Sequence, residues 1–144
     1  MADGPSRRIE HRQVQVVSGG AAAAWLLTVD RLDRELMLTL AAPRRTWTAT
    51  STDVFGALLE LRQQLDPEDV RVCCNGARRN AWASGMQRDM GAGLTVYLLD
   101  ENQTQGRSAA VRTLDDAPYE DVTTVDEQKA FYASWLARRT GNRK

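Results

Sequence analysis

The hydrophobic period of this chain changes once, and that change limits what it can fold into. Between residues 9 and 40 apolar side chains recur at every second position: Val14 and Val16, then Trp25, Leu27 and Val29, then Leu36, Leu38 and Leu40. Neighbours in an extended chain point to opposite faces, so the alternation predicts strands with one buried face. Turn residues separate the runs, at Ser18-Gly19-Gly20 and at Leu32-Asp33-Arg34. Ala41-Ala42-Pro43-Arg44-Arg45 breaks the third run, and Thr46-Trp47-Thr48 is one more short strand or its extension. The expected strands are 9–17, 22–30 and 36–40, joined as an antiparallel meander.

From Val54 the spacing becomes helical, through Phe55, Leu58, Leu61 and Leu65. Ser51, Thr52 or Asp53 supplies an N-cap, and Asp66-Pro67 ends the helix. Further strands are expected at 69–74 and 94–98, with a weaker one at 109–114. Residues 101–106 have the composition of a hairpin end. Thr124 and Glu127 have capping-box spacing, and Gln128, Phe131, Tyr132, Trp135 and Leu136 follow as a stripe on one helical face. Arg138 and Arg139 suit the last turn, and Gly141 a C′ position. The stripe reads as core; an exposed groove for a cofactor or partner is the sharper alternative.

These elements define an α+β fold. It is a single domain over 9–142, with a mostly antiparallel sheet of about five to six strands and two main helices on one face. Residues 1–8 read as a disordered tail.

Charge matters next. Nineteen Lys+Arg balance nineteen Asp+Glu, and every cation except Lys129 and Lys144 is Arg. The Arg bias matches the codon usage of a GC-rich bacterial genome. The neutral sum removes the global attraction to phosphate of a basic nucleic-acid binder, so nucleic acid is not expected as a partner. The zero is unevenly spread, with Arg gathered at 78–88 and acid at 115–121. That distribution fits a directional contact with a protein better than a polyanion.

No stretch reaches the roughly 18 apolar residues that span a bilayer; the longest, 21–29, stops at Asp30-Arg31. Ser6-Arg7-Arg8 is followed by residues too polar for an export signal. Cys73 and Cys74 are adjacent and point opposite ways in a strand, so they read as reduced thiols, at least one of them buried. No membrane partner and a cytoplasmic location are expected.

Catalytic signatures are sparse. His11 is the single histidine, and Ser84-Gly85 lacks a nucleophile elbow. A cysteine nucleophile needs a neighbour such as Arg71 or Arg78 to lower its pKa. Asp115, Asp116, Glu120 and Asp121 form an acidic cluster without Ca²⁺-loop spacing. It reads as a capped-helix approach, or as a patch facing a basic partner or the Arg segment of the same chain. No catalytic residue, metal or cofactor is assigned.

One segment is too long for a plain connector. Residues 75–93 join two strands and carry three Arg, a Trp, two Met and four Gly. One reading is a short helix near 77–83 that crosses the sheet, with Trp82, Met86 and Met90 packed inward and the Arg side chains solvated. The other is a binding surface of Arg78, Arg79, Asn80, Trp82, Met86, Arg88 and Asp89. Arg and Trp dominate binding hot spots, and methionines make adaptable apolar patches. Asp89 is also placed to neutralise Arg79 or Arg88.

The function expected from these residues is a non-enzymatic cytoplasmic interaction domain that binds another protein through 75–93. An immunity- or antitoxin-type inhibitor of a toxin or enzyme is its concrete form, by analogy of size and class. The alternative is a small-anion or nucleotide module in which Arg78, Arg79 and Arg88 converge beside Trp82.

Overall fold

The computed structural model describes residues 7–100 and 110–141. The meander is present as β1 (Arg7–Ser18), β2 (Ala21–Leu32), β3 (Glu35–Ala41) and β4 (Thr46–Ser51). β5 (Val70–Val72) returns to pair with the far end of β1, so the order across this curled sheet is β4-β3-β2-β1-β5, all antiparallel. Tight turns set the register. Gly19 and Gly20 both adopt positive φ, at 57° and 85°, which a side chain would strain.

The alternation places one face inward. Val14 and Val16, Leu27 and Val29, and Leu36, Leu38 and Leu40 are all buried there, and α1 (Val54–Leu65) closes over them. Asp53 caps α1 by accepting from the Gly56 N–H at 3.2 Å. Arg7 and Arg8 belong to β1 rather than to a tail, and Arg8 meets Asp30 at 2.6 Å on the opposite face.

The α+β single-domain reading holds, but the strands divide between two sheets. A second sheet, of order β6-β7-β8, is built from β6 (Ala81–Trp82), β7 (Thr95–Leu98) and β8 (Ala110–Arg112). The hairpin end expected at 101–106 lies outside the described residues. α1 is a middle layer. Val54, Leu58 and Leu61 face the large sheet, while Phe55 and Leu59 meet Ala81, Ala83, Val96 and Val125 on the other side. α3 (Val125–Gly141) therefore packs against the small sheet, placing Phe131 and Trp135 on Leu99. Among the described residues no helix is long and apolar enough to cross a membrane.

Candidate functional site

The segment 75–93 is held in place by side chains distant in sequence. The helix expected near 77–83 does not form. A single 3-10 turn, Asn75–Ala77, is followed by extended backbone at Arg78, then β6, then α2 (Gly85–Asp89). Ala and Arg favour helix locally, but neighbouring strands and turns capture the backbone groups a helix would use. The Arg79 N–H donates to Asp121 O at 2.9 Å, the Leu99 N–H to Asn80 O at 2.7 Å, and the Thr123 N–H to Ala77 O at 3.2 Å.

A buried polar pin fixes the start of the segment. Gln128 is fully buried and donates from Nε2 to Gly76 O at 2.9 Å and to Ala81 O at 2.8 Å. Its Oε1 accepts from Arg62, which also donates to Thr123 O at 2.7 Å. Burial lowers the Arg62 pKa to about 10. Gln128 thus belongs to the helical stripe by position but works as a fastener between α3 and the segment.

The arginines do not converge. Arg78 donates to Asn75 Oδ1 at 2.8 Å and pairs with Asp121 at 2.9 Å. Arg88 pairs with Asp53 at 3.0 Å, a carboxylate whose side chain is 2% exposed, and lies over Phe55. Arg79 is exposed, with its guanidinium 4.7 Å from the centre of the Phe131 ring and no carboxylate among the described residues. Asn80 donates to Leu99 O at 3.0 Å, a structural role. Asp89 is exposed and neutralises neither arginine; Asp53 takes Arg88 instead. The acidic cluster does face the Arg segment of its own chain, through Arg78–Asp121, while Asp115 meets Arg12 at 3.0 Å.

Trp82 turns inward, and the methionines do not. The indole stacks on Tyr132 at 4.5 Å and meets the edge of Phe55 at 5.2 Å. Met86 and Met90 are 72% and 82% exposed, because the Ser84–Gln87 capping box starts α2 with that face outward. In that box Ser84 Oγ accepts from the Gln87 N–H at 3.1 Å, and Gln87 Oε1 accepts from the Ser84 N–H at 2.8 Å.

Between α2 and β7 runs a groove of about 480 Å³, with Met86, Gln87 and Met90 on one wall and Thr95 and Tyr97 on the other. Ser84, Gly85 and Tyr97 also line a second cavity of about 190 Å³. Its other walls are Trp82, Leu99, Tyr132, Trp135, Leu136 and Arg139. The stripe on α3 therefore divides. Phe131 is core, Trp135 is buried but also walls this cavity, and the more exposed Tyr132 and Leu136 reach it too. Position alone could not separate them, because the strand they meet, β7, lies far earlier in the chain. The signal that was legible is the spacing of Met86 and Met90, four apart on a helix.

The groups that could do chemistry are otherwise placed. Cys73 and Cys74 are free and buried. Burial raises both thiol pKa values, that of Cys74 to about 11, so neither is activated by Arg71 or Arg78. His11 is exposed on β1. Among the described residues no three His, Cys, Asp or Glu side chains are grouped to hold a metal ion. The arrangement offers a Met-rimmed groove beside an aromatic-walled cavity, suited to an apolar contact. No protein-family model matches the chain, and no curated protein matches it.

Proposed function

We propose that this protein is a non-enzymatic interaction domain that binds a segment of another protein along the groove between α2, β7 and α3. The observation that supports it is the exposure of Met86 and Met90 at the rim of a groove that shares Ser84, Gly85 and Tyr97 with a cavity walled by the stacked Trp82 and Tyr132. Large apolar side chains held in water mark surfaces that are covered in use. Unbranched methionines adapt to varied partner side chains. The stacked Trp82 and Tyr132 lose little freedom on binding, because packing has already ordered them.

The contact surface is therefore shifted from the arginines of 75–93 to the methionines and the cavity on α3. Arg78 and Arg88 already carry carboxylates, which leaves less for a small anion. The inhibitor form, directed at a toxin or another enzyme, rests on size and fold class alone. Its cytoplasmic setting is likewise part of the proposal.

A quantitative affinity capture tests the reading. Wild-type protein should retain at least one stoichiometric partner that Met90→Glu and Leu136→Asp both lose. Both positions are exposed, so thermal midpoints should stay near wild type. Absence of a stoichiometric partner, or one kept equally by all three proteins, contradicts it.

A further inference from the structure

Arg139 is the one charged side chain lining the groove and its adjoining cavity among the described residues. Its guanidinium lies 5.0 Å from the centre of the Trp135 ring, and it has no carboxylate partner among the described residues. The contrast with Arg78 and Arg88, each paired with an acid, is sharp. Arg138, its neighbour, points elsewhere and bonds Ser134. Trp135 itself has an unmet need. Trp135 is 4% exposed, and its indole N–H has no acceptor among the described residues. Both groups are donors, and Arg139 and Trp135 line the same cavity. A cavity of about 190 Å³ suits one side chain, and the open groove of about 480 Å³ beside it leaves room for the rest of a peptide segment.

We infer that the partner segment is acidic and apolar, seating an aliphatic or aromatic side chain among Trp82, Tyr132 and Leu136 and a nearby carboxylate on Arg139. This rests on the groove reading above and specifies its partner. Ring stacking holds the planar guanidinium flat and leaves its edge N–H groups free for a carboxylate. An apolar anchor beside one charge-assisted contact is the composition of a binding hot spot. The last turn of α3 also favours a cation through the helix dipole, but that accounts for the charge and not for its place in the cavity wall.

The test is a phage-displayed library of random peptides selected on the whole protein, with affinities of the enriched peptides then measured by fluorescence anisotropy. The expected peptides carry Asp or Glu within a few positions of Leu, Phe, Tyr or Trp. Arg139→Gln should weaken them about tenfold or more, the size of one lost charge-assisted hydrogen bond. Arg79→Gln should leave them within about twofold, as expected for an exposed charge away from the contact. Selection on Arg139→Glu should replace acidic residues by Lys or Arg. Peptides that depend on Leu136 but show no acidic preference, or no loss with Arg139→Gln, overturn this inference and leave the groove reading standing. A library that yields no peptide weakened by Leu136→Asp overturns both.

Discussion

At the scale of single residues, the contacts that matter most join positions far apart in the chain. Gln128 and Arg62 are the case in point, joined across 66 positions. Replacing Gln128 by Leu removes two donors from buried carbonyls and one acceptor from a buried cation. The expected cost is about 3–5 kcal/mol, read as a lower urea midpoint with an unchanged slope. A loss below about 1 kcal/mol would show that the site relaxes or hydrates. Cys74 gives a pH signature. Its thiol ordinarily titrates near 9.0 and is raised to about 11 by burial. Stability is therefore complete below pH 9 and declines above it, because the unfolded chain ionises first. Between pH 9 and 10 the expected loss is about 1 kcal/mol. Cys74→Ala should reduce that slope, and an equal slope in the variant contradicts the assignment. The N-cap at Asp53 was one of three candidates legible from Ser51-Thr52-Asp53. Its pairing with Arg88 was not, because 35 positions separate them, and the adjacent Asp89 looked the better partner.

At the scale of elements, strong periodicity was legible and short pairing was not. β1 to β4, α1 and α3 follow from apolar spacing and turn residues. β6 does not, because Ala81–Trp82 is a two-residue strand whose pairing depends on Leu98 and Tyr97. Likewise the local helix preference near 77–83 loses to the bonds that Arg79 donates to Asp121 and Asn80 accepts from Leu99, which no window of sequence contains. α2 is the element on which the proposed function turns. Five residues are too few for a helix to stand unaided. The Ser84–Gln87 box and the Arg88–Asp53 pair hold it to α1. Ser84→Ala should cost about 1 kcal/mol and raise amide exchange locally at 85–90, with the large sheet unaffected. Unchanged exchange at those amides contradicts the view that the cap holds the methionines outward.

For the whole molecule, the neutral charge has a structural use that its distribution along the chain did not reveal. Arg at 78–88 and acid at 115–121 looked like separate patches, yet Arg78–Asp121 closes them on each other and Arg12–Asp115 ties the cluster to β1. Among the described residues that line the groove and the aromatic cavity, Arg139 is the charge left without a carboxylate. Among the described residues, the groove beside α2 can be compared with the outer face of the large sheet, where the half-buried Met37 stands opposite Asp30 in register. Three of the chain's four methionines, Met37, Met86 and Met90, distinguish these faces. The most direct measurement is a methyl spectrum of protein carrying ¹³C-labelled methionine, titrated with the partner retained by capture. Met86 and Met90 should shift or broaden while Met37 stays fixed. Movement of Met37 with Met86 and Met90 unchanged would place the interaction on the sheet and contradict the groove reading.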